Sequence, residues 1–332
     1  MKRSICVICG LLLFAVNAFA QEQQFANLGD FKLENGSTIR NCRIGYRTFG
    51  AINADKSNVI VVPTWAGGTT EQLKGNFGPG RLIDSTTYYV IAIDALSNGV
   101  SSSPSNSRLQ PRMRFPEFSL RDTVASQHEL LTRVLNIHRV KAVVGISMGG
   151  MQTFQWLVSY PDFMEKAIPI VGSPRLAPYD LMLWQAQIDA LMQDRDWKRG
   201  NYSANPSRAL DFAFGELLLT TPTDYNRRKT REQVFADLAK AQNDAHRFDA
   251  NDKIRQVQAM MKLDISLESA RTVKAKVLVI VAKYDHVVTP GPATEFATLL
   301  GAKLLTLDSD CGHLATTCES RLLNDAIANF LK

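Results

Sequence analysis

The stretch from residue 142 to 159 constrains the fold of this chain more than any other. Ala142-Val143-Val144-Gly145 is a short β-branched run of the kind that forms a buried parallel strand. Residues 148–159 read as a helix. Between them lies Gly145-Ile146-Ser147-Met148-Gly149, a G-x-S-x-G pentapeptide. A strand that turns directly into a helix leaves its serine on a sharp, strained turn with the hydroxyl exposed above the sheet. Gly145 and Gly149 are needed because neighbouring backbone must pack close to that turn. The pentapeptide alone is a weak signal, since Gly and Ser are common, and a purely structural turn would share it. Its strand–turn–helix setting makes Ser147 a candidate nucleophile.

The remaining elements supply a sheet for that strand. Phe31-Lys32-Leu33 and Ile44-Gly45-Tyr46-Arg47-Thr48 alternate, with the turn signal Asn35-Gly36 between them. Asn58-Val59-Ile60-Val61-Val62 and residues 88–93 read as buried strands, and 120–137 has helical spacing. The rhythm stops after Ile168-Pro169-Ile170-Val171 and resumes at Val277-Leu278-Val279-Ile280-Val281. Leu304-Leu305-Thr306-Leu307 is the last expected strand and 321–331 the last helix. Strands alternating with helices imply an α/β fold, a mostly parallel sheet flanked by helices. Residues 21–173 and 266–332 make up this core. Residues 174–265 read as an inserted helical segment.

The first 20 residues stand apart. Lys2 and Arg3, an apolar run over 5–16 and Ala18-Phe19-Ala20 before a polar stretch together read as a secretory signal peptide. The run is shorter than the roughly 20 residues that span a bilayer. Cleavage leaves 312 residues and lowers the formal charge from +6 to +4. No basic stripe remains to suggest a nucleic-acid partner, and no later stretch reads as a membrane anchor. The expected localisation is periplasmic or secreted.

A serine nucleophile needs a base, and the base needs an orienting carboxylate. In a strand–turn–helix site of this kind the chain order is serine, acid, histidine. Asp285 falls on the loop just past the strand at 277–281, and His313 on the loop past 304–307. Both lie at the carboxyl edge of the sheet, where open parallel sheets form their sites. His286 adjoins the acid and reads as a loop residue. His128, His138 and His246 read as polar residues on helix faces, and Asp308 and Asp310 as alternative acids. The oxyanion would be held by the backbone N–H of Met148 and that of Trp65, in Trp65-Ala66-Gly67-Gly68 after the strand at 58–62. Trp184, Met182, Phe212 and Phe214 give the insertion an apolar character.

Two runs are more specific than the pentapeptide: Ser147-Met148-Gly149-Gly150-Met151-Gln152 and Arg247-Phe248-Asp249-Ala250-Asn251. Gly78-Pro79-Gly80, Tyr284-Asp285 and Gly312-His313 accompany them. On these the chain resembles the homoserine O-acetyltransferase-like branch of the α/β-hydrolase superfamily over nearly all of the mature chain. The resemblance implies an α/β-hydrolase core and a helical lid over the serine. Members acting on homoserine resemble one another in an aspartate directly after the catalytic histidine, suited to a substrate ammonium. Here that position is Leu314. An arginine segment that holds the substrate carboxylate has no clear match in 217–228.

Cys311 and Cys318 flank His313, and in an oxidising compartment they would close as a disulfide, with Cys42 left unpaired. No metal-ligand spacing is present, and no cofactor is expected. The expected activity is cleavage of a small acyl ester or thioester by a Ser147–His313–Asp285 acyl-enzyme mechanism. Two alternatives stand beside it. One is an O-acyltransferase in which an alcohol resolves the acyl-enzyme, and the other a non-catalytic binding protein on the same fold.

Overall fold

The computed structural model describes residues 22–206, 217–243 and 248–332. The signal segment, Phe212, Phe214, His246 and Arg247 lie outside them. Eight strands form one sheet: β1 (Gln24–Lys32), β2 (Thr38–Phe49), β3 (Val59–Pro63), β4 (Tyr89–Ile93), β5 (Val140–Ile146), β6 (Met164–Ile170), β7 (Lys276–Ala282) and β8 (Lys303–Leu307). Their spatial order is β1-β2-β4-β3-β5-β6-β7-β8. β1 and β2 pair antiparallel, and β2 joins β4 antiparallel. From β4 through β8 every pairing is parallel. This is the α/β-hydrolase fold, a mostly parallel sheet with helices on its faces.

The period-2 alternation of strand side chains sorts one sheet into two cores. Val59, Val61, Val143, Ala167, Val279 and Val281 face one side. There they meet helices α1 (Leu120–Glu129), α2 (Met148–Ser159) and, through Phe296, the helix at Gly291–Leu300. Ile60, Val62, Val144, Ile168 and Ile280 face the other side, against Leu323, Ile327 and Leu331 of the C-terminal helix. The spacing of four in that helix is one apolar stripe. Burial on both faces explains why the central strands carry no polar alternation.

Between β6 and β7 the chain leaves the sheet through α3 (Pro178–Met192), α4 (Pro222–Arg228), α5 (Arg231–Asn243) and α6 (Ala250–Met261). Exit and return are pinned together: Ile265 N donates to Pro174 O at 3.0 Å, and Arg175 bridges antiparallel to Asp264. Helices α7 (Gly291–Leu300) and α8 (Ser320–Leu331) complete the core. Among the described residues no helix is long and apolar enough to cross a membrane.

Local readings differ at three places. The helix expected over 120–137 ends at Glu129 and continues as a π-turn, Leu130–Val134, closed by Leu135 N donating to Leu130 O at 3.0 Å. The wider turn lets the adjacent Leu130 and Leu131 both be fully buried. His128 is no surface polar residue. It stacks on Tyr160 with ring centroids 3.8 Å apart, beside Trp156 and Phe163, and burial pushes its pKa down. His138 sits on the loop before β5, where its ring meets Asn136. Cys42, in β2, is a fully buried free thiol, and burial pushes its pKa up to about 12.

Candidate active site

Ser147 is the single residue between β5 and α2, with φ +58° and ψ −122°. That left-handed backbone is costly for a residue with a Cβ. The surroundings hold it there. Ser147 N donates to Ile170 O at 2.8 Å, and Met151 N donates to Ser147 O at 3.0 Å. The glycines let the turn close. A Cβ on Gly145 would lie 2.1 Å from Gly149 O, and one on Gly149 would lie 2.6 Å from Pro63 O.

Asp285 follows the end of β7 and His313 follows β8, so both reach the same edge of the sheet as Ser147. Asp285 Oδ1 accepts from Val287 N at 2.9 Å and Val288 N at 3.0 Å. Its Oδ2 lies 2.6 Å from His313 Nδ1. A carboxylate only accepts, so Nδ1 carries the proton and Nε2 presents its lone pair. Nε2 lies 2.9 Å from Ser147 Oγ. Asp285 and His313 are buried. Burial alone would lower the His313 pKa. The charge of Asp285 and the hydrogen bond to it outweigh burial and raise it above the ordinary imidazole value.

Trp65 lines the cavity with Ser147, and Met148 follows the serine as the first residue of α2. Among the described residues neither backbone N–H donates to a protein acceptor. The loop carrying Trp65 is tied down instead by its neighbours. Gly67 N donates to Gln256 Oε1 at 2.7 Å, Gln256 Nε2 donates to Leu96 O, and Asn98 Nδ2 donates to Gly68 O at 2.9 Å. A cavity of about 960 Å³ opens over Ser147 and His313. Trp184, Leu218, Leu219, Phe248, Val257 and Met260 supply apolar walls from the helices between β6 and β7. Leu314 lines it directly after His313. Met182, by contrast, is exposed.

The supports around the site were not readable from sequence. Trp184 Nε1 donates to Val287 O at 3.0 Å, and the buried Asp180 accepts from Thr289 N and Oγ1. Both fix the acid's loop to α3. Arg227 forks onto Asp310, with 2.9 Å to each carboxylate oxygen, and also meets Asp224. Arg228 binds Asp224 at 2.7 Å, and Thr221 Oγ1 donates to Asp310 O. Arg227 clamps the histidine's loop, Arg228 braces Asp224 within α4, and neither lines the cavity. Asp310 is thereby occupied, Asp308 pairs with Lys283, and His286 meets Leu217 O. Asp224, Asp310 and Cys311 lie close together, but Cys311 is in a disulfide and both acids are held by arginine.

Cys311 and Cys318 are bridged across a separation of seven residues, with Cα atoms 6.6 Å apart. The bridge spans the histidine's short helical turn. Chain-entropy arguments give a loop of this size about 2.5 kcal/mol. Replacing both cysteines with alanine should lower the unfolding free energy by about that amount in urea. Adding reductant should then weaken the parent protein and leave the double variant unaffected.

Comparison with known proteins follows the same lines. The profile described as alpha/beta hydrolase fold matches residues 58–316. The ethyl acetate hydrolase of Pseudomonas veronii is 37% identical over 190 residues, 56% of this chain and 54% of that protein. The match thus spans about half the length of that relative. A homoserine O-acetyltransferase of Methanococcoides burtonii is 30% identical over 351 aligned positions, covering 91% of this chain and 72% of its own. The crystal structure of an acetylester hydrolase from Corynebacterium glutamicum matches with a TM-score of 0.86 at 27% identity, covering 94% of this chain and 95% of that one. By its profile, its sheet order and its relatives, the chain belongs to the α/β-hydrolase family, in the homoserine O-acetyltransferase-like branch.

Proposed function

We propose that the protein is a secreted or periplasmic serine hydrolase that cleaves a small ester or thioester. The observation that carries this reading is the hydrogen-bonded line Ser147 Oγ–His313 Nε2 and His313 Nδ1–Asp285 Oδ2, at 2.9 and 2.6 Å. His313 Nε2 takes the Ser147 proton as Oγ attacks the acyl carbonyl. Asp285 stabilises the imidazolium, and the Trp65 and Met148 N–H groups receive the oxyanion. His313 then returns the proton to the departing alcohol or thiol, and water resolves the acyl-enzyme. The ethyl acetate hydrolase and acetylester hydrolase relatives support an ester as substrate. The wild-type protein should hydrolyse p-nitrophenyl acetate, and a fluorophosphonate probe should label Ser147. A probe that leaves Ser147 unmodified would sink the reading.

The base must be neutral to act, so kcat/KM should rise with pH through the His313 pKa, which lies above the ordinary imidazole value. Asp285→Asn removes the charge that raises this pKa and leaves burial, which lowers it. Its acid limb should therefore move to lower pH, while kcat falls by about 10⁴-fold, as for the same change in a serine-protease triad. A limb that stays in place would count against Asp285 as the partner.

Acyl transfer to an alcohol is the second reading, supported by the homoserine O-acetyltransferase relative. Leu314 weighs against homoserine as acceptor, because leucine cannot pair an ammonium. Product analysis with alcohols present separates the two readings, and free acid as the only product would exclude transfer. Secretion rests on the N-terminal pattern and suits a disulfide beside the base. N-terminal sequencing of the protein from a periplasmic or secreted fraction should begin at Gln21. A cytoplasmic chain retaining residues 1–20 would refute it.

A further inference from the structure

We infer that Gln152 is a positioning residue that locks the Trp65 peptide so that its N–H faces the reacting carbonyl. The inference rests on the acyl-enzyme reading above. Gln152 lies one turn into α2 and is fully buried. Its Nε2 donates twice, to Thr64 O at 3.0 Å and to Met148 O at 3.1 Å. Both partners are carbonyls, which only accept, so the amide nitrogen and not its oxygen must face them.

The first of these bonds has a geometric consequence. Thr64 C=O and Trp65 N–H belong to one peptide unit, and in a planar trans peptide they point in opposite directions. Holding the carbonyl down against Gln152 therefore turns the N–H the other way. The rest of Thr64 is also fixed. Its N donates to Ile93 O at 3.1 Å, and its hydroxyl accepts from Ala95 N at 3.1 Å. The one rotation left to that stretch is a flip of the 64–65 peptide, and Gln152 opposes it. The second bond ties the same side chain to the first turn of α2, whose Met148 supplies the other proposed donor. One amide thus sets the two halves of the oxyanion site against each other.

Gln152 is itself held by a buried line of donors and acceptors. Gln127 Nε2 donates to Gln152 Oε1 at 2.6 Å, and Trp156 Nε1 donates to Gln127 Oε1 at 3.0 Å. Gln127 and Trp156 are fully buried. Gln152 Nε2 faces two carbonyls and its Oε1 faces the Gln127 donor, so the Gln152 amide cannot turn over without stranding Gln127 and both carbonyls. Such a line is expensive to leave half satisfied, and it has no need to be polar for packing alone.

Gln152→Met keeps the volume and removes both donors. Losing one oxyanion donor outright costs about 10²–10³-fold in kcat. Loosening one should cost about 10–100-fold, with KM within about threefold and the position of the His313 pH limb unchanged. The rate is counted per site titrated with a fluorophosphonate, which removes any misfolded fraction. Binding of a trifluoromethyl ketone, which forms the tetrahedral adduct, should weaken in step with kcat. A merely structural role would lower thermal stability and leave kcat per titrated site alone. That result, with kcat within about threefold of wild type, would overturn the inference. Should Gln152→Met fail to fold, Gln127→Leu reads the same line one step out, with an expected loss of about three- to tenfold in kcat. A kcat equal to wild type there would overturn it equally. If the wild-type enzyme neither turns over ester nor takes the probe, the acyl-enzyme reading has failed instead.

Discussion

Ser147→Ala should lower kcat on p-nitrophenyl acetate by at least about 10⁴-fold while leaving the fold intact. The hydroxyl is hydrogen-bonded to His313 Nε2, at 2.9 Å. Without it His313 has only solvent water to activate. Residual turnover would come from the oxyanion donors and from substrate positioning alone. Members of such a set act as a unit, so adding His313→Ala to Ser147→Ala should cost little more. Stability is a fair control. Serine and alanine both carry a Cβ, so both pay about the same for φ +58° at this turn. Initial rates and a thermal melt on the same preparation test both halves. Activity within tenfold of wild type would mean that another residue attacks the ester.

The second large effect is on the fold itself. Gly145→Ala should cost about 4 kcal/mol or more, a large share of the 5–15 kcal/mol typical of a domain. The added Cβ would meet Gly149 O at 2.1 Å and Gly149 C at 2.2 Å, both backbone atoms of the first turn of α2. That turn cannot retreat. Thr153 Oγ1 donates to the same carbonyl at 2.8 Å. Gly149 already abuts Pro63 O on β3, and Gly150 abuts the backbone of Gly172. Strand, helix and neighbouring loop meet with no room for a methyl group. Gly291→Ala, at the start of α7 with open space around it, is the matched control and should be near neutral. Equal denaturant midpoints for the two variants would refute the steric account.

The parts of this molecule legible in the sequence are those written into local spacing. The change from β-branched run to helix around Ser147 marks the turn, and the strands at 277–281 and 304–307 end just before Asp285 and His313. That is enough to put the three side chains at one sheet edge before any coordinate is known. Contacts between distant segments carry no such signature. Arg227 reaches Asp310 across 83 positions, and Gln256 reaches Gly67 across 189. Nothing in the composition of 217–228 distinguishes a clamp on the histidine's loop from a solvated charged face. His128 misled for a related reason. A histidine in a helix reads as a polar residue, yet the aromatic rings that cover it arrive from α2 and the turn beyond it.

Cys42 gives the protein a chemical clock. With its pKa at about 12, the thiolate is about one part in 10⁴ at pH 8, and the side chain is wholly covered. An alkylating reagent should therefore be silent on the native mature enzyme and react once β2 separates from the sheet. The rate of iodoacetamide uptake then reads how often the core opens, which hydrogen exchange would otherwise be needed to measure. Without reductant the unfolded mature chain should take up one label. With reductant it should take up three, because the bridge beside the base yields the other two.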